Sequence, residues 1–523
     1  MHSVRPRILK IASSAAKPVS RSLSLMCRGE PIQREQLYEY TNGRFLVNEK
    51  HEMSKRYARF DLDALCALVS DLPHVSSPIS RIDKMEGGFN KALLMTAENG
   101  KEVIAKLPCP KVIPQDIAPH PKQLSHTSVP VCKVLGWSSD SSNPVGSEYI
   151  LMEKAHGKQL VDVWGEMNQL QQFRLVQCLV QLESQLAALE FPAYGNLYFR
   201  RLGPQESVRT VPIDDEYCVG PAYSASWFPQ LGEGRHTGPW QGLMDLGIGL
   251  TSRGLAHLQQ SSLAPRRPHF GTKSEHFEIL TKVRETMLHL GNFTPLQKLS
   301  KTTLWHNDLH LGNICVSEED PTAIVNIIDW QFTSIMPAFM QVQWPSFLAP
   351  PDGYEAGTVK PELPPNFEEM DADEKAFAIT ERDRALLSKC YEAALVKNHM
   401  PSYLAMTRED TTKDGIVPLR DCLTQIAEHW NEMGITEQCP YHITDEALSK
   451  HGLELARYND WLTLKGYTQE LLHSDDEGWL SPQLDFEKVQ ARHAELFELY
   501  IGRETEDITE EEAKRLWFYI EDS

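Results

Sequence analysis

The residues best suited to chemistry lie in Leu304-Trp-His-Asn-Asp-Leu-His-Leu-Gly-Asn-Ile-Cys-Val, followed by Asp329 in Asn326-Ile-Ile-Asp-Trp. Apolar strands on either side of one loop would bring two carboxylates and an amide together. That set suits phosphoryl transfer, in which a carboxylate aligns an acceptor hydroxyl and a few oxygen ligands hold Mg²⁺ against a triphosphate. Asp308 can align the hydroxyl and accept its proton. Asn313 and Asp329 supply an amide oxygen and a carboxylate to a hard cation, while Leu309 and Ile314 anchor the loop in the core. A second chemistry uses the same stretch: in an extended segment His306, Asp308 and His310 share one face and could ligate a metal for hydrolysis. No further His-rich motif follows, and that scheme leaves Asn313 and Asp329 without a task.

Such a loop needs a scaffold. Asp61-Leu-Asp-Ala-Leu-Cys-Ala-Leu-Val reads as a short helix with an acidic start. Residues 80–96 and Glu102-Val-Ile-Ala-Lys-Leu-Pro read as two strands joined at Asn99-Gly100, with further strands at Val131–Leu135 and Glu148–Glu153. Together these predict a small antiparallel sheet. From Met167 the period becomes helical: Leu170, Phe173, Val176, Leu179, Leu182, Leu186 and Leu189 mark a long helix ending before Pro192. Residues 202–242 read as an irregular Gly- and Pro-rich excursion. Helical patterns resume at 243–260 and 274–290, strands at 302–305, 314–316 and 323–328, and the rest is largely helical and acidic. A β-rich lobe, one connecting strand and a larger α-rich lobe form a two-lobed α+β layout, whose ligands belong in the interlobe cleft.

The chain has 523 residues, 41% hydrophobic and 24% charged, enough to bury a substantial core. Its net charge of -20 disfavours a general nucleic-acid binder. Ten cysteines form no C-x-x-C pair, which suits buried thiols in a reducing compartment. No 18-residue apolar run occurs, so no transmembrane segment is expected. Residues 1–29 hold no acid and six cations (Arg5, Arg7, Lys10, Lys17, Arg21, Arg28) among many serines, leaving the body at 46 basic against 72 acidic residues. This is the composition of a mitochondrial transit peptide, with Arg21-Ser-Leu-Ser a candidate processing site.

The pattern His306-x-Asp308-Leu-His310-x-x-Asn313 with Ile328-Asp329-Trp330 resembles the catalytic loop and metal motif of the aminoglycoside phosphotransferase and choline kinase-like family, a branch of the protein kinase-like fold. The resemblance implies Asp308 as catalytic base, Asn313 and Asp329 as Mg²⁺ ligands, and His306 and His310 as loop scaffold. Glu86-Gly87-Gly88-Phe-Asn-Lys resembles the phosphate-covering loop, and Lys106 falls where a strand lysine contacts the α- and β-phosphates. Glu148-Tyr-Ile-Leu-Met-Glu-Lys-Ala-His-Gly resembles the hinge, with backbone groups of Glu153 and Ala155 meeting adenine. ATP and Mg²⁺ are thus the implied cofactors, and nucleotide and a small hydroxyl-bearing acceptor the implied ligands. The similarity spans Tyr40 to Glu432. Within it, Tyr40-Thr-Asn-Gly-Arg-Phe, Asn143-Pro-Val-Gly-Ser-Glu, Phe191-Pro-Ala-Tyr-Gly-Asn and Asp329-Trp-Gln resemble the fungal altered inheritance of mitochondria branch.

The implied organisation is a transit peptide at 1–23, an N-terminal extension and β-rich nucleotide-binding lobe at 24–152, an α-rich catalytic and acceptor lobe at 153–435, and an acidic helical extension at 436–523. One departure stands out. Kinase-like lobes carry a helix after the lysine strand whose Glu pairs with the lysine. Residues 107–130 hold six prolines (108, 110, 114, 119, 121, 130) and one acid, Asp116, and proline costs about 3 kcal/mol inside a helix. The pairing acid is absent, or is replaced by Asp116, or the gene model lacks a piece. Two functions follow: phosphotransfer to a small acceptor in the mitochondrial matrix, or a pseudokinase-like nucleotide-binding or scaffold protein without turnover. Protein recovered from mitochondria should begin near Ser24 by N-terminal sequencing. An intact Met1 would contradict the transit reading.

Overall fold

The computed structural model describes residues 23–109, 127–200, 209–222, 236–260, 271–331, 333–406 and 415–519. The upper lobe is a seven-stranded sheet ordered β2-β1-β4-β5-β6-β8-β7. Its first strands are β1 (Ser24–Cys27) and β2 (Glu30–Pro31), and β3 (Arg44–Phe45) stands apart from it. After helices α1 (Glu49–Lys55) and α2 (Leu62–Ser70) come β4 (Ile79–Glu86), β5 (Asn90–Ala97), β6 (Glu102–Pro108), β7 (Val134–Ser138) and β8 (Tyr149–Glu153). Alternation explains the central strands: Leu93, Met95 and Ala97 on β5 and Val103, Ala105 and Leu107 on β6 face one buried layer. Helix α2 lays Leu62, Leu65 and Val69 onto that layer, and the Asp61 side chain caps it by accepting from the Ala64 amide at 2.9 Å.

Three details depart from the sequence expectation. Residues 80–96 form two strands rather than one, because the chain reverses at Gly87-Gly88 before the expected Asn99-Gly100 turn joins β5 to β6. The sheet is not wholly antiparallel: β1 runs parallel to β4, from Ser24 beside Arg81 to Cys27 beside Lys84. Apolar alternation carries no information on strand direction. The strand placed at 131–135 lies at 134–138, because the Pro130 carbonyl is engaged by the Ile327 amide of the lower lobe at 2.8 Å.

The lower lobe opens with β9 (Lys158–Gln159), α3 (Leu160–Val163) and α4 (Gln169–Ala187). Asn168 and Gln171 form a capping box at the start of α4, and Leu175, Val176, Leu179, Val180 and Leu186 bury its inner face. Truncating one such leucine costs about 2–5 kcal/mol. Strands β10 (Asn196–Phe199), β11 (Val211–Pro212) and β12 (Tyr217–Gly220) form a small sheet where an irregular excursion was expected; residues 201–208 and 223–235, with Trp227, lie outside the described residues. Next come α5 (Leu243–Gln260), α6 (Lys273–Leu290), α7 (Thr294–Leu299), β13 (Thr302–Leu304), β14 (Ile314–Val316), β15 (Ile324–Ile327), β16 (Ile335–Pro337), α8 (Ala338–Gln341), α9 (Ala372–Asn398), α10 (Met400–Met406) and α11 (Ile416–Glu428). Trp240 is buried with Tyr194, Leu246 and Met336, and Trp344 packs against Tyr391, so both serve the core.

The C-terminal part comprises α12 (Asp445–Leu472), β17 (Trp479–Leu480), α13 (Phe486–Glu504) and α14 (Glu510–Leu516). It docks rather than trails: Tyr458, Trp461, Tyr500, Trp517 and Phe518 share a core with Ile279 of α6, Ile416 of α11 and Leu46 near the N-terminus. No helix among the described residues is long and apolar enough to cross a membrane.

Where α4 meets α9, Glu183 is fully enclosed and accepts a 2.8 Å hydrogen bond from the Tyr391 hydroxyl. Burial pushes its carboxyl up to about 8 from 4.5, against the opposing hydrogen bond. The protonated form therefore prevails in the fold. Its stability contribution is full below pH 4.5 and is lost as pH rises through 8, with a slope of up to ~1.4 kcal/mol per pH unit. Denaturant titrations from pH 5 to 8 should show stability falling with pH in the wild type and a flatter profile in Glu183→Gln.

Candidate active site

A cleft of about 1400 Å³ separates the lobes, and Gly87, Gly88, Lys106, Glu153, Ala155, Asp308, His310, Asn313 and Asp329 all line it. His306 sits behind it, buried.

The loop between β13 and β14 presents Asp308 exposed to the cleft, while Leu309 is buried as its anchor. Asn313 is buried, and its amide nitrogen donates to the Asp308 carbonyl at 2.8 Å. That bond fixes the orientation of the amide. Beside that loop in the same lobe, Asp329 follows β15, which pairs with β14, and has φ +65, a left-handed conformation that costs a non-glycine residue about 1–2 kcal/mol. Two contacts hold it there. Lys106 on β6 donates from Nζ to Asp329 Oδ1 at 2.7 Å, and His306 Nε2 donates to the Ile328 carbonyl at 2.9 Å. The His306 ring also meets Trp330 edge-on at 4.8 Å.

Burial lowers the His306 pKa, partly offset by the Ile328 hydrogen bond, so its ring is neutral at neutral pH. With Nε2 on Ile328 and Nδ1 lacking a partner among the described residues, His306 works as a brace. His310 turns inward on its own loop, Nδ1 accepting from the Gly312 amide at 3.0 Å. The alternative His306, Asp308, His310 metal set is therefore not assembled, and no group of three or more His, Cys, Asp or Glu among the described residues is arranged to hold a metal. Asn313 and Asp329 are the two residues whose oxygens would hold a hard cation such as Mg²⁺, which would supply positive charge against phosphate.

In the upper lobe, Gly87 and Gly88 have no positive φ and a Cβ on either would meet nothing within 4 Å. Neither packing nor backbone conformation demands glycine there, and the bare backbone leaves that side of the cleft open. Glu86 at the base of this hairpin is buried between Lys91 and Lys84, the latter at 3.2 Å, and accepts from the Thr41 amide at 2.7 Å. Of the Glu153 backbone groups expected to meet a base, the amide is committed elsewhere, donating to the Lys133 carbonyl at 2.9 Å. Burial raises the Cys132 thiol to about 11 and the Cys315 thiol as well, leaving both neutral on the cleft floor.

Sequence reading missed a third wall. Asp475, Glu477 and Trp479 of the C-terminal part line the cleft, as do Arg56 and Gln331, whose side chain accepts from Asn90 at the base of the glycine hairpin. The only signals were Tyr40-Thr-Asn-Gly-Arg-Phe and Asp329-Trp-Gln, noted as resemblance without a physical role.

The fold is two-lobed α+β, and its cleft brings a strand lysine of one lobe to an Asp-bearing loop and a second Asp of the other. Residues 250–342 match the model of the phosphotransferase enzyme family, and that span contains Asp308, Asn313 and Asp329. A subtelomeric hrmA-associated cluster protein of Aspergillus fumigatus is 27% identical over 83% of this chain and 95% of its own. Altered inheritance of mitochondria protein 9, mitochondrial, of Yarrowia lipolytica is 21% identical over 87% of this chain and 86% of its own. The ADP-bound crystal structure of aminoglycoside phosphotransferase APH(2'')-Ib overlaps 76% of this chain and 96% of its own at 11% identity and a TM-score of 0.32. The resemblance read from the motifs is borne out by the family match and the mitochondrial relatives.

His306→Ala removes the hydrogen bond, the ring contact and volume together, and should lower stability by about 2–4 kcal/mol in urea denaturation. A change within about 0.5 kcal/mol would contradict the bracing role.

Proposed function

We propose that the protein transfers the γ-phosphoryl group of ATP, with Mg²⁺, to a small hydroxyl-bearing acceptor in the mitochondrial matrix. The observation that carries this reading is the Lys106–Asp329 contact at 2.7 Å, which joins the two lobes in the cleft that Asp308 faces. In this reading Asp308 aligns the acceptor hydroxyl and takes its proton, and Lys106 reaches the α- and β-phosphates. Gly87 and Gly88 cover the phosphates with bare backbone, and the Glu153 carbonyl and Ala155 backbone meet the adenine edge. Asn313 and Asp329 would hold Mg²⁺, which neutralises triphosphate charge when bound. His306 and His310 keep the loops in place. The matching division is import segment 1–23, nucleotide lobe 24–152, acceptor lobe 153–435 and extension 436–523. Mitochondrial naming of the Yarrowia relative supports the compartment, and the family match supports the reaction class.

A second reading, a pseudokinase-like nucleotide-binding or scaffold protein, draws on one observation. Among the described residues Lys106 pairs with Asp329 and not with a helix Glu, and Asp116 lies outside the described residues. Turnover separates the two. Purified protein with Mg²⁺ and ATP should hydrolyse or transfer phosphate, and Asp308→Asn should lose about 10²–10⁴-fold in kcat while ATP affinity stays within about twofold. Nucleotide binding without turnover favours the scaffold. Full turnover in Asp308→Asn removes the catalytic-base assignment.

A further inference from the structure

The C-terminal part forms the outer wall of the cleft, and one buried arginine ties it to the glycine hairpin. Arg56, 4% exposed, donates from Nε to the Gly88 carbonyl at 3.1 Å and from Nη2 to Glu477 at 2.8 Å. Its Nη1 is held by Glu52 of α1, and its guanidinium lies 4.6 Å from the Phe45 ring centroid. A planar fork is the one side chain that can engage three such partners in fixed directions. Glu477 is itself held in place. Strand β17 pairs with β3, the Leu46 amide donates to the Gly478 carbonyl at 2.9 Å, and Asp475 accepts from the Glu477 and Trp479 amides at 2.9 and 2.8 Å.

The motif Tyr40-Thr-Asn-Gly-Arg-Phe now has a physical role. Trp479 Nε1 donates to the Tyr40 hydroxyl and the Asn42 carbonyl at 2.9 and 3.1 Å. A Cβ at Gly43, where φ is +141, would lie 2.2 Å from that indole nitrogen and 2.6 Å from the Leu480 carbonyl. Only glycine lets the C-terminal strand seat here.

We propose that Arg56 is a positioning residue, and that Glu477 acts through it to hold the glycine hairpin in the posture that covers the nucleotide phosphates. The C-terminal part is then a component of the nucleotide site. This inference rests on the phosphotransferase reading for its ligand but not for its geometry, so two measurements keep them apart.

Amide hydrogen exchange of residues 86–90 and calorimetric ATP affinity with Mg²⁺ would be compared in the full chain for wild type, Glu477→Gln and Arg56→Lys. Glu477 is half exposed, so its loss should leave Tm nearly unchanged while 86–90 exchange about three- to tenfold faster and ATP binds weaker by a similar factor. Arg56→Lys keeps the charge and loses the fork, and should show the larger effect on both. Wild-type exchange at 86–90 in both variants overturns the proposal, as does faster exchange spread evenly through the chain with a falling Tm. Failure of the wild type to bind ATP would count against the nucleotide reading alone, and the exchange data would still decide the clamp.

Discussion

The ion pair between Lys106 and Asp329 sets the geometry of the cleft. Its partners come from different lobes, 223 positions apart, and meet at 2.7 Å with both side chains about three-quarters buried. At an effective dielectric of about 20 a unit pair at 4 Å is worth ~4 kcal/mol before desolvation is charged against it. The net figure is small, but the directional constraint is strong. Lys106 is pinned because β6 runs between β5 and β8 in the sheet. Asp329 is pinned because His306 holds the preceding carbonyl and the backbone sits in a left-handed well. A carboxylate kept in a strained conformation by a buried, neutral histidine is an arrangement that core packing alone does not call for.

Around that pair the molecule supplies braces at increasing range. Asn313 is locked to the Asp308 carbonyl within one loop. Gln331 reaches from the Asp329 turn to Asn90 at the base of the glycine hairpin. Arg56 and Glu477 connect that hairpin to a segment more than four hundred residues away. Each device positions backbone or carboxylate around the same cavity, and the apolar clusters of the two lobes and the C-terminal part make them rigid. In the second reading the same bracing would hold a nucleotide or keep the cleft in shape for a partner, so rigidity does not separate enzyme from scaffold; the chemistry at Asp308 does.

Much of this was legible in the residues. Helices at 169–187, 243–260 and 273–290 and the strands flanking the Asp308 loop follow from periodicity, because each buries one face or alternates across a layer. The site residues were legible because Asp308, Asn313 and Asp329 lie within one short stretch, where spacing constrains geometry. What stayed hidden involves long-range pairing or direction. Nothing in Ser24-Leu-Met-Cys announces a parallel partner at Arg81–Lys84, and nothing in Asp475-Asp-Glu-Gly-Trp announces a place beside Gly88. Glu153 shows the finer limit: its place in the cleft was readable, but the loss of its amide to Lys133 was not. The proline-rich 107–130 stretch argued against a normal helix from composition alone; residues 110–126 lie outside the described residues, and among those described Lys106 meets Asp329.

The most direct measurement is a calorimetric titration of the purified protein with ATP, with and without Mg²⁺. The account predicts saturable binding at one site, tightened by Mg²⁺ and lost when Lys106 is replaced by Met. No binding, or binding indifferent to both Mg²⁺ and Lys106, would contradict it.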